Sequence, residues 1–120
     1  MNKTLIILLL SVVALQLQAQ QKITLEEVSK HIGDSVTVCG KIFGGKYLDK
    51  AGNKPTFLNV GAEYPNQLLT IVIWGNTRKL FPYKPEEKLK GKTACVTGKI
   101  ETYKGKPQIV VQQVAQIQEQ

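Results

Sequence analysis

Few residues in this chain are suited to reaction chemistry. It holds one histidine, one arginine, one tryptophan and two cysteines in 120 residues. His31 has no second histidine to share a metal ion with, and no cysteine cluster at ligand spacing joins it. No Cys-x-x-Cys pair is present, which excludes redox catalysis by that motif. Neither a nucleophile elbow nor a Gly-rich phosphate loop followed by Lys-Ser/Thr occurs. The adjacent acids Glu26-Glu27 and Glu86-Glu87 do not converge, because sequence neighbours point apart on a helix. The chain is therefore expected to be no enzyme, with no metal and no cofactor. Negative charge is also scarce. Sixteen basic residues face nine acidic ones, for a net charge of +7, and every cation except Arg78 is a lysine. Such an excess favours a polyanionic partner without choosing among nucleic acid, anionic lipid and acidic polysaccharide.

Residues 1–19 read as a signal peptide. Lys3 supplies a positive n-region, Leu5 to Leu17 is an apolar run, and Leu17-Gln18-Ala19 offers a cleavage point. The run is short for a membrane span. Without flanking stop-transfer charges, an uncleaved anchor is the weaker reading. The mature chain then begins at Gln20 and is exported, periplasmic or secreted, with no membrane span. Residues 20–120 make one small domain.

Within that domain one pattern occurs twice. Val36-Thr37-Val38-Cys39-Gly40-Lys41-Ile42 and Ala94-Cys95-Val96-Thr97-Gly98-Lys99-Ile100 alternate apolar with small polar residues, then break on Gly. Alternation is the period of a half-buried strand, and an internal Gly marks a bulge or a bend at a barrel corner. Two bent strands framing straighter ones imply a small closed sheet. Paired antiparallel, they set Val38 opposite Val96 and Cys39 opposite Cys95, within disulfide range. An oxidising compartment permits that bridge. The alternative is two small buried thiols.

The remaining elements follow from local signals. Thr24-Leu25-Glu26-Glu27 has the form of a capping box, and Leu25, Val28 and Ile32 mark one face of a short helix ended by Gly33. The first strand runs from Ser35 to Phe43, with Gly44-Gly45 releasing it into a basic loop, Lys46 to Lys54. The second is Thr56 to Val60 after Pro55. The third, Leu68 to Trp74, is the most apolar stretch of the mature chain. Asn76 or Thr77 can cap a turn through Leu80, and a second turn covers Glu86 to Leu89, with Pro82 and Pro85 forbidding anything longer. The fourth strand ends near Tyr103, Lys104 to Pro107 forms a hairpin, and the fifth is Gln108 to Gln112.

These segments together resemble the OB-fold, a five-stranded Greek-key barrel, here with a short N-terminal helix and a helical insert between strands three and four. They are similar to the nucleic-acid-binding OB domains of the tRNA-anticodon-binding type. They look closest to small exported bacterial OB modules, found alone or beside staphylococcal-nuclease-like domains. A single arginine and no matching acidic motif depart from the nuclease pattern. The resemblance implies single-stranded DNA or RNA as partner, bound with low specificity.

Single strands bind where a cationic groove tracks phosphates and aromatic rings accept bases. The candidate residues are Lys46, Tyr47, Lys50 and Lys54 after the first strand, and Tyr103, Lys104 and Lys106 at the last hairpin. Arg78 follows the third strand, while Phe57 and Trp74 take the outward parity of theirs. Tyr47 and Tyr103 either stack on bases or cap the barrel ends. A rival reading is an envelope OB domain that binds a glycan, a small ligand or a protein.

Overall fold

The Val-Thr-Val-Cys alternation builds the strand its period predicts, and the strand is longer than expected. In the computed structural model, which describes residues 21–120, seven strands form one sheet. They are β1 (Gln21–Ile23), β2 (Ser35–Tyr47), β3 (Thr56–Val60), β4 (Leu69–Ile73), β5 (Thr93–Tyr103), β6 (Lys106–Val111) and β7 (Ile117–Glu119). A 3-10 helix, Leu25–Lys30, precedes β2, and one-turn helices α1 (Gly75–Arg78) and α2 (Pro85–Lys88) lie between β4 and β5. A 3-10 turn, Val114–Gln116, leads into β7. The predicted leader lies outside the described residues. No described helix is long and apolar enough to cross a membrane.

Five of the strands close on themselves in the order β2-β3-β4-β6-β5, with β5 returning to β2. The β4–β6 contact is parallel and the other four are antiparallel. This is the OB barrel the sequence led us to expect. Closure works because β2 and β5 each serve two neighbours. Ser35 to Lys41 pairs with β5, and Ile42 to Tyr47 pairs with β3 across a bulge between Ile42 and Gly44. Likewise Thr93 to Lys99 pairs with β2, and Ile100 to Tyr103 with β6. Both handovers fall on the Gly-Lys-Ile of the repeated pattern.

The expected register holds. Val38 opposes Val96 and Cys39 opposes Cys95, whose Cα atoms are 3.9 Å apart and whose sulfurs are bonded. Inward residues of each strand form the core, among them Val36, Val38, Leu58, Ile71, Ile73, Val96, Ile100 and Ile109. Each such burial stabilises by about 1.5–3 kcal/mol. Val28 closes the core from the 3-10 helix, while Phe81 and Leu89 come from the segment between β4 and β5.

Several expectations need correction. Gly44-Gly45 does not end the strand. Gly44, at φ +148°, accommodates the bulge, and a Cβ on Gly45 would collide with the Phe57 carbonyl oxygen. Lys46 and Tyr47 therefore belong to β2, opposite Phe57 and Thr56. The N-terminal helix is 3-10, so its three-residue period aligns Leu25, Val28 and His31 and leaves Ile32 exposed. The N-cap of α1 is Trp74 and not Asn76 or Thr77. Two short strands beyond the five expected ones extend the barrel: β1 lies parallel to β2, and β7, in the tail through Ile117, lies antiparallel to β5.

Candidate nucleic-acid interface

The outer parity of β3, β4 and β6 carries Asn59, Thr70, Gln108 and Phe57 beside the aliphatic Val72 and Val110. Asn59 sits beside Thr70, and Thr70 beside Gln108, making one row across three strands. In the next row Phe57 lies between Lys46 and Val72. Gln67 Nε2 donates to Thr70 Oγ1 at 3.0 Å, which leaves the threonine hydroxyl free to donate outward. Gln67 Oε1 is buried without a partner.

Two segments wall this surface into a groove of about 710 Å³. One is the β5–β6 hairpin, where Lys104 and Gly105 both take positive φ (+51° and +77°), as a two-residue turn that matches strand twist requires. The other is the β3–β4 loop, which carries Tyr64. Lys106 joins them. Its ammonium donates to the Pro65 carbonyl at 3.0 Å and lies 5.8 Å from the Tyr64 ring centroid. Lys104 Nζ lies 5.4 Å from the Tyr103 ring. Tyr64 and Tyr103 are 73% and 62% exposed, so both rings are available to a ligand.

A second recess of about 740 Å³ lies beyond the β2–β3 loop, lined by Tyr47, Asn53, Lys54, Trp74, Arg78 and Lys79 among others. The Arg78 guanidinium stacks 3.7 Å from the Tyr47 ring centroid and forms an ion pair with Glu86 at 2.8 Å. Its charge is largely offset there.

The structure thus divides the candidate residues. Lys46, Phe57, Tyr103, Lys104 and Lys106 meet in the groove. Tyr47, Lys54, Trp74 and Arg78 meet in the recess. Lys50 is exposed on the loop and lines neither. Sequence reasoning passed over Asn59, Tyr64, Gln67, Thr70 and Gln108. Outward parity marks Asn59 and Thr70, whereas nothing local ties Tyr64 to a hairpin 40 residues away. No described group of three His, Cys, Asp or Glu residues is placed to hold a metal ion.

No family model matches the chain, and no curated protein matches its sequence. Solved structures do match its shape. A chain assigned as an aspartyl-tRNA synthetase from Leishmania major Friedlin aligns over 87% of this chain, at 10% identity and a TM-score of 0.52. The yeast Stn1 and Ten1 structure aligns over 85%, at 12% identity and a TM-score of 0.59. The chain is an OB-fold domain. It spans 21% of the synthetase chain and 63% of the matched yeast chain. At such low identities the likeness is one of fold.

Proposed function

We propose that this protein binds single-stranded nucleic acid, DNA or RNA, in the groove over β3, β4 and β6, with low sequence preference and without catalysis. The observation that carries the reading is the pairing of aromatic rings, two of them exposed and one half-buried, with ammonium groups around one groove. Phe57, Tyr64 and Tyr103 stand beside Lys46, Lys104 and Lys106. Stacking on such rings is worth about 1–3 kcal/mol per base, and it tolerates any sequence because every base has a π face. The lysines supply counterion release. The synthetase likeness adds a barrel of this shape in a protein named for a tRNA reaction.

We place the protein outside the cytoplasm, on the strength of the apolar leader and the paired cysteines. N-terminal sequencing of the exported protein tests this, with Gln20 as the expected first residue.

The binding test is a fluorescence anisotropy titration of residues 20–120 with labelled oligonucleotides at two salt concentrations. Binding at low salt is expected, with log K falling against log salt at a slope of roughly −2 for three phosphate contacts. Absence of binding at low salt overturns the proposal. Saturable, salt-independent binding of a saccharide or envelope protein would instead support the rival reading.

A further inference from the structure

The recess beyond the β2–β3 loop repeats the chemistry of the groove on the other side of a shared wall. Its rings are Trp74, 39% exposed, and Tyr47. Its free cations are Lys54 and Lys79, both exposed. None of its described lining residues is acidic, and Glu86 is occupied by Arg78. The end of β2 separates the two depressions by strand parity. Lys46 and Leu48 face the groove, while Tyr47 between them faces the recess.

The recess is also built to keep its shape. Arg78 is pinned on two sides, by the Tyr47 ring at 3.7 Å and by Glu86 at 2.8 Å. The loop wall is tied down where Gly75 N–H donates to the Asn53 carbonyl at 2.8 Å. Asn53 and Lys54 both hold left-handed backbone, φ +62° and +43°, a conformation unusual for two consecutive residues with side chains. Gly75 allows this close approach, since a Cβ there would lie 3.0 Å from the Asn53 oxygen.

We infer that this recess is a second nucleotide-binding station, which takes the continuation of the same single strand after it crosses the β2–β3 loop. The inference rests on the groove reading above. An anion alone would need only the lysines. The exposed Trp74 ring beside them matches a ligand that brings a planar base with each charge, and a polymer already lying in the groove brings both.

The test uses Trp74 itself, the sole tryptophan of the chain. Oligothymidylates from about 4 to about 16 nucleotides span the site sizes of such barrels. They are titrated into wild type and into Lys54→Glu/Lys79→Glu, a change confined to two exposed side chains. Anisotropy reads affinity, and intrinsic emission reads occupancy of the recess. In wild type, lengthening the strand is expected to raise affinity at least tenfold and to quench Trp74. The double variant is expected to keep short-strand affinity and lose that gain. Long strands that bind tightly without altering Trp74 emission, or a variant that keeps the full gain, overturn this inference alone. Absence of binding at every length overturns the groove reading and this one with it.

Discussion

Val38 and Val96 face each other across β2 and β5 at the centre of a local two-fold relationship. Exchanging the strands about this pair carries Cys39 onto Thr97 and Cys95 onto Thr37. The disulfide on one side of the pair thus corresponds to a hydroxyl–hydroxyl hydrogen bond on the other, Thr37 Oγ1 to Thr97 Oγ1 at 2.7 Å. The relationship extends outward. Ile42 exchanges backbone hydrogen bonds with Gly91 and Lys92, and Ile100 does the same with Gly33 and Asp34. The repeated pattern is therefore one solution to barrel closure used twice, with covalent and hydrogen-bonded versions of the same cross-strand tie.

That equivalence predicts what replaces the bridge best. The bond joins residues 56 apart, for which the chain-entropy account gives about 4 kcal/mol. Cys39→Thr/Cys95→Thr would place a second threonine pair beside the first, recovering about 0.2–1 kcal/mol. Denaturant unfolding should show the double variant about 3–4 kcal/mol less stable than oxidised wild type and more stable than Cys39→Ala/Cys95→Ala. Equal midpoints for all three proteins would show that the bridge contributes nothing.

Gly98 and Gly40 occupy equivalent places in the pattern but differ in what surrounds them. A Cβ on Gly98 would lie 2.6 Å from Ile109 Cγ2, a fully buried side chain on the adjacent strand. On Gly40 the nearest atoms are Cδ1 of the half-buried Leu25, also at 2.6 Å, and Cγ1 of the buried Val60 at 2.9 Å. Overfilling a packed core costs about 1–3 kcal/mol. Gly98→Ala and Gly40→Ala, each of which would press on a buried core side chain, are both expected within that range, and Gly52→Ala, which meets nothing within 4 Å, near zero. Thermal unfolding in which Gly98→Ala matches Gly52→Ala would contradict this packing account.

The closure strands were legible in the sequence because alternation, the paired valines and the paired cysteines all specify one register. The continuation of β2 was not. Gly44-Gly45 carries the composition of a loop, and only the bulge, which sets Gly44 at positive φ, and the approach of the Phe57 carbonyl to Gly45 explain why both positions lack a side chain. The groove was half legible. Its lysines and Phe57 stand out by charge and parity, but Tyr64 joins them through the Lys106–Pro65 contact, which spans 41 residues. Nor does the sequence reveal that Arg78 is held by Tyr47 and Glu86. The glutamine-rich ending hid a structural residue as well. Gln116 Oε1 accepts from the amides of Gln112 and Gln113, while its Nε2 donates to the Thr97 carbonyl.

Rings and lysines of the groove should separate in their effects. Phe57→Ala or Tyr64→Ala removes a stacking surface, so each is expected to weaken oligonucleotide binding by about 1–3 kcal/mol at any salt concentration. Lys46→Gln, Lys104→Gln or Lys106→Gln removes one cation. Each should reduce the slope of log K against log salt by about 0.7. Lys50→Gln, outside both depressions, should leave the slope nearly unchanged. Anisotropy titrations across a salt series measure both quantities, and a Lys50 variant that behaves like Lys46→Gln would move the binding path onto the loop.

The N-terminal helix gives the fold an acid-sensitive contact. Glu27 Oε1 accepts from the Thr24 backbone N–H and hydroxyl, each at 3.0 Å. These bonds, the backbone one first, hold its carboxyl below the usual range. A carboxylate whose pKa falls on folding stabilises the protein above its unfolded pKa. That contribution disappears as pH drops through the folded value. Glu27 is fully exposed, so solvent screens the effect and the change is small. Glu27→Gln keeps an acceptor of the same shape without the charge. Its melting temperature should lie below that of wild type at neutral pH, and the gap should close in acid, once the wild-type carboxyl is itself protonated. A gap that persists unchanged at low pH would show that shape alone, rather than charge, makes Glu27 a cap.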